Sequence, residues 1–86
     1  MNKKTPERKL FENTSRRKNR KLATLLKEIR LDNSLTLPEV AKFTGFSWWT
    51  IQKYERCVIS IPVGYLFFCL DELDHDRKII KLLDKL

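Results

Sequence analysis

Apolar residues recur along this chain with helical spacing. Leu22, Leu25, Leu26 and Ile29 follow one another in steps of three and four, which places them on one face of a helix. The spacing predicts a first helix from near Ser15, or a turn later, to about Asp32. Asn33 and Ser34 break the pattern, and Thr36-Leu-Pro-Glu39 restarts it as a capping box. The Thr36 hydroxyl accepts from the third amide, Glu39 reaches back to the amide of the cap, and Pro38 sits in the first turn, where its missing N–H is not needed. Val40, Ala41 and Thr44 face inward, and Gly45 ends this short second helix in a conformation that glycine adopts without penalty. Phe46 plugs the gap between helices and Ser47 caps a third one. There Ile51 and Tyr54 share one face while Trp48, Trp49, Lys53 and Arg56 fall largely on others.

A non-helical VISIP connection leads to a fourth helix from about Pro62 or Val63 to Leu73. Tyr65, Leu66, Phe67, Phe68, Cys69 and Leu70 make it apolar nearly all round, a pattern of a helix central to the core or shared with another subunit. Asp74-His75-Asp76 caps a last helix, in which Ile79, Ile80, Leu82, Leu83 and Leu86 form a stripe opposite Arg77, Lys78, Lys81 and Lys85. No internal repeat or low-complexity tract interrupts the series. The expected fold class is all-α, five compact helices.

The chain has 86 residues, enough for one small core and too few for two. Its formal charge of +7 is unevenly placed: residues 1–21 hold nine Lys or Arg against two Glu, and the rest of the chain is balanced. Residues 1–14 offer only Leu10 and Phe11 as apolar anchors and read as a flexible basic arm. Ser15-Arg-Arg-Lys-Asn-Arg-Lys21 carries the charge into the first helix, where cations near the N-terminus oppose the macrodipole. A polyanionic partner rewards such clustering; a solvated basic face is the alternative. Cys57 and Cys69, with the lone His75, give no zinc-like spacing, so neither metal nor other cofactor is expected. The start of the chain has no secretory apolar region, and the run from Val58 to Leu70 is broken by Ser60, Pro62 and Gly64 and falls short of the ~20 residues that cross a bilayer. A cytoplasmic protein without a membrane segment is expected.

The capped short helix, the glycine turn and the Ser-capped helix ending Tyr54-Glu55-Arg56 resemble the helix-turn-helix of the phage repressor and Cro family, the lambda repressor-like DNA-binding domains. Counted from Leu37, Ala41 falls where that family needs a small residue for close helix crossing and Gly45 at its turn glycine. Val40, Thr44, Phe46, Ile51 and Tyr54 fall at its inward positions. The resemblance covers about Leu22 to Leu73, and it implies a domain over 15–73, with the motif at 36–56 and a C-terminal helix in 74–86 as a possible dimerisation element. Arg30 and Glu55 fall where the family carries a partly buried ion pair. Pro62 stands at its proline before helix four.

By position, the resemblance implies base contacts from Ser47, Trp48, Trp49, Thr50 and Lys53 in the major groove. Arg16, Arg17, Lys18, Arg20, Lys21, Lys27, Lys42 and Arg56 are the candidate phosphate contacts. The implied function is a sequence-specific, double-stranded-DNA-binding transcriptional regulator, a repressor of phage, plasmid or mobile-element type, bacterial or phage-encoded, acting as a homodimer. Ile79, Ile80, Leu83 and Leu86 would supply the dimer interface; packing of the last helix on its own domain is the alternative. Three residues depart from the family's pattern. Leu37 replaces a phosphate-touching Gln, Cys57 replaces a Gly, and Trp48-Trp49 replaces polar base readers. Three accounts of the tryptophans stand open: contact with thymine methyls, burial of one of them against helix two or four, and a protein-docking surface, since adjacent exposed tryptophans suit an interface hot spot. The second reading is therefore a protein-interaction module, an adaptor or anti-activator docking through Trp48 and Trp49. With no nucleophile–base pair, carboxylate dyad or phosphate-binding glycine loop in the sequence, an enzyme is not expected.

Overall fold

A computed structural model describes residues 6–85, and among them it is helical without a strand. Five helices follow in order: α1, Pro6–Asp32; α2, Leu37–Thr44; α3, Trp48–Glu55; α4, Val63–Phe68; and α5, Lys78–Lys85. α1 packs against α3 and α5, and α2 against α3. At about 1.5 Å per residue, the 27 residues of α1 span roughly 40 Å. That accounts for the long axis of a molecule measuring 43 × 29 × 17 Å.

α1 starts well before Ser15. Pro6 opens it and Glu7 lies in its first turn, where a carboxylate favours the helix dipole. Residues 6–14 of the expected arm are thus helical, and 1–5 lie outside the described residues. Arg16 to Lys21 then fall inside the helix, away from the end where their charge would oppose the dipole.

α1 ends at Ser34, which adopts φ 57°. The Ser34 amide donates to the Leu31 carbonyl at 2.9 Å and the Leu35 amide to the Arg30 carbonyl at 3.1 Å, a Schellman closure. The Asn33 side-chain amide donates to the Ile29 carbonyl at 2.7 Å and to the Leu73 carbonyl at 3.0 Å, tying this end to the segment after α4.

The capping box of α2 is formed on both sides: the Glu39 amide donates to the Thr36 hydroxyl at 3.3 Å and the Thr36 amide to the Glu39 carboxylate at 2.9 Å. The bond from the Thr36 amide holds the Glu39 carboxyl below the usual carboxylate range. Gly45 closes the helix at φ 80°. Thr44, the polar residue among the inward positions, donates its hydroxyl to the Val40 carbonyl at 2.9 Å and so carries no unsatisfied group.

α3 ends in the same kind of closure as α1, with Cys57 in the left-handed position at φ 57°. The Cys57 amide donates to the Tyr54 carbonyl and the Val58 amide to the Lys53 carbonyl. A β-carbon there costs about 1–2 kcal/mol that glycine does not incur. Cys57→Gly should therefore raise stability by about 0.5–1 kcal/mol net of the extra freedom glycine gives the unfolded chain. A urea midpoint that stays unchanged or falls contradicts this.

The fourth helix is not a single α-helix to Leu73. It passes at Cys69 into a π-helical turn, Cys69–Leu73, closed by the Asp74 amide donating to the Cys69 carbonyl at 2.9 Å. Residues four apart drift forward around an α-helix and back around the wider π turn. Tyr65, Cys69 and Leu73 consequently stay on one buried line. Asp74 then caps α5 with both carboxylate oxygens, accepting the Lys78 and Ile79 amides at 2.8 Å each.

The core gathers Leu26, Ile29, Val40, Ile51, Tyr54, Tyr65, Cys69, Leu73 and Ile79. Phe46 fills the gap after α2, edge-on to Tyr54 and Tyr65 with ring centroids 5.7 and 6.1 Å away. Burial pushes the Cys69 thiol up to about 11 and the Tyr65 hydroxyl higher still, so both stay protonated packing groups at neutral pH. Ile79 is fully buried in its own chain, which removes it from any dimer interface: α5 packs on its own domain through this residue. Ile80 and Leu83 remain exposed, and Leu86 lies outside the described residues.

Candidate nucleic-acid interface

Arg30 and Glu55 join the end of α1 to the end of α3. Arg30 donates through Nε to Glu55 Oε2 at 2.7 Å and through Nη2 to Oε1 at 3.0 Å, a bidentate pair. Its Nη1 donates to the Leu35 carbonyl at 2.7 Å, so one guanidinium also pins the loop before α2. Only 6% of Arg30 and 7% of Glu55 is exposed. The bond to Glu55 raises the Arg30 pKa further, against the opposing effect of burial. α3 is thereby fixed at its C-terminal end, and its N-terminal end points into solvent.

That end carries the base-contact candidates. Trp48 and Trp49 occupy the first two helical positions and are 51% and 52% exposed, so neither is packed into the core. Ser47 caps the helix by accepting the Thr50 amide at 3.3 Å, and its hydroxyl lies 2.7 Å from the Thr50 hydroxyl. The Lys53 ammonium sits over the Trp49 ring, 3.9 Å from its centroid, a cation–π contact. All five candidates lie within two turns of one helix.

Trp48 also closes an open groove of about 620 Å³ with Arg30, Leu31, Ser34, Leu35, Thr36, Leu37 and Pro38. Leu37 and Trp48 both line this groove, so its wall is apolar there. Leu31 and Leu35 are not among the site residues that the sequence pattern singles out. The available signal was Leu31, an apolar residue out of step with the Leu22–Ile29 stripe and half exposed in the structure.

Of the phosphate candidates, Arg16, Arg17, Arg20, Lys21 and Lys27 are exposed on α1; Arg16, Arg20 and Lys27 follow the side of Leu31, whereas Lys21 borders Glu28 and Lys78 on the side of α5. Lys18 points elsewhere and is partly buried. Arg16 borders the Cys57–Ile61 loop after α3, and Leu31, on the same flank, borders Trp48. The basic strip of α1 thus runs between the surroundings of the two ends of α3. Lys42 and Arg56 are exposed on α2 and at the end of α3. On the other flank of α1, Glu28 and Asp32 are drawn to Lys78 of α5, at 3.4 and 2.8 Å, and the hydrogen bond to Asp32 raises the Lys78 pKa. These contacts neutralise acids that would oppose a polyanion. No described helix is long and apolar enough to cross a membrane.

Compared with protein-family models, curated proteins and solved structures, the sequence finds no match in any of the three.

Proposed function

We propose that this protein is a sequence-specific DNA-binding transcriptional regulator with a lambda repressor-like helix-turn-helix domain, in which α3 enters the major groove. The carrying observation is the mounting of α3. A glycine turn at φ 80° and the buried Arg30–Glu55 pair hold the helix, while Trp48 and Trp49 of its first turn project half exposed. A groove about 12 Å wide admits one helix, and a rigidly held helix with a free N-terminal half is what base reading requires. Arg16, Arg17, Arg20, Lys21, Lys27, Lys42 and Arg56 are the proposed phosphate contacts. A cytoplasmic homodimer, pairing through the exposed Ile80 and Leu83, would read two half-sites about 34 Å apart.

Selection tests this proposal. The protein is incubated with a pool of random-sequence duplexes at low salt and the retained duplexes are sequenced. The expected result is one enriched motif in a two-fold repeat. Retention without enrichment would leave only non-specific charge binding, and no retention would refute the reading.

The apolar groove supports a second reading, a protein-interaction module docking through Trp48 and Trp49. Exposed tryptophans beside Leu31, Leu35 and Leu37 offer an anchor pocket of the kind that dominates protein interfaces. A chain that retains no duplex, but whose Trp48→Ala variant loses a partner from its own host, fits this reading.

A further inference from the structure

The hydrogen-bonding groups at the start of α3 are partly taken up by one another. Ser47 Oγ accepts the Thr50 amide and lies 2.7 Å from the Thr50 hydroxyl, so the cap leaves the pair a single O–H donor for any outside partner. The Lys53 ammonium, the candidate for guanine O6 and N7, rests on the Trp49 ring at 3.9 Å. What stands half exposed beside them is the indole surface of Trp48, continuous with Leu31, Leu35, Leu37 and Pro38, and the part of Trp49 that Lys53 leaves uncovered. An indole carries a single N–H donor and no acceptor, and it cannot address a base pair with two hydrogen bonds. The one apolar mark that bases present in the major groove is the C5-methyl group of thymine. 5-Methylcytosine presents the same group at the same place.

Resting on the DNA-reading proposal above, we infer that Trp48 and Trp49 select duplexes by C5-methyl groups, so that thymine and 5-methylcytosine are favoured over uracil and cytosine at the positions the indoles touch. Each indole packs against a methyl that is otherwise in water. Burial of one methyl-sized group is worth about a fourfold change in affinity. Lys53, lying across the face of Trp49, fixes that ring and leaves its edge to the groove. The readout is thus apolar contact on a scaffold that phosphate contacts position.

The test uses the full chain and the site enriched from the random duplex pool. That duplex is resynthesised with single thymine-to-uracil replacements, which delete only the methyl, and affinity is read by fluorescence anisotropy. The expected result is a loss of about fourfold at one or more thymines in each half-site, with Trp48→Ala or Trp49→Ala bringing the thymine-to-uracil ratio towards one. Placing cytosine at such a thymine should weaken binding, and methylating that cytosine should recover about fourfold. The uracil series is measured on the wild-type protein, so the outcome does not hang on a variant folding. An enriched site that binds equally well in thymine and uracil forms overturns the inference and leaves DNA reading standing. Failure to enrich any site overturns both, and returns the tryptophan groove to a protein partner.

Discussion

Arg30→Ala should cost about 3–5 kcal/mol of folding stability, the largest effect expected of any single charge in this chain. The change strands the Glu55 carboxylate, 7% exposed, without its two donors, and it removes the donor of the Leu35 carbonyl. An uncompensated buried charge is far more expensive than the net worth of the pair it came from. Glu55→Ala should cost nearly as much by leaving the guanidinium unpaired. Arg30→Met combined with Glu55→Leu should recover most of the loss, since it buries neither charge. A chain of this length has roughly 4–13 kcal/mol in all, so the single variants will sit near the edge of folding. Urea unfolding followed by far-ultraviolet circular dichroism measures the three variants against the parent. A loss under about 1 kcal/mol for Arg30→Ala would show that the pair behaves as an exposed one. The same clamp orients α3, so the double variant separates stability from placement. It should fold yet bind its selected duplex less well, because a hydrophobic contact does not fix the angle of a helix as a bidentate pair does.

Features whose chemistry is local were legible in the sequence. Thr36 with Glu39, Ser47 with Thr50 and the turn at Gly45 each depend on residues two to four positions apart, and the structure forms each of them. Features that depend on partners distant in the chain were not legible. The π turn at Cys69–Leu73 serves a line of burial from Tyr65 to Leu73 and leaves the Leu73 carbonyl to Asn33, forty residues away. The start of α1 at Pro6 was hidden for another reason: apolar spacing is silent over a stretch with only Leu10 and Phe11, and the remaining signal was Pro6-Glu7 itself. Ile79 looked like part of an exposed stripe because periodicity gives a face without saying what covers it. The candidate site divides the same way. Position within α3 could be read from spacing, whereas the engagement of Ser47, Thr50 and Lys53 with their own neighbours could not.

If the exposed cations meet phosphates, affinity for duplex DNA will fall about a thousandfold or more between roughly 50 and 200 mM monovalent salt. The argument rests on where the charge lies. Arg16, Arg17, Arg20, Lys21 and Lys27 are exposed along α1, and Glu28 and Asp32, which would offset them, are held by Lys78 at 3.4 and 2.8 Å. Each phosphate neutralised releases condensed counterions, and the logarithm of affinity falls by about 0.9 per decade of salt for every contact. Arg17→Ala and Arg20→Ala should each lower the slope by about one and weaken all duplexes alike, because phosphate contacts carry no sequence information. Lys78→Ala is the informative counterpart. It removes a cation too, but one already engaged with two carboxylates, and it frees those carboxylates on the side of α1 where Lys21 lies. Binding should weaken in this variant through added repulsion, with a slope no smaller than that of the parent. A salt slope near zero for the parent would remove the phosphate role of α1. A slope lowered equally by Lys78→Ala and Arg20→Ala would show that net charge, rather than the strip, sets the affinity.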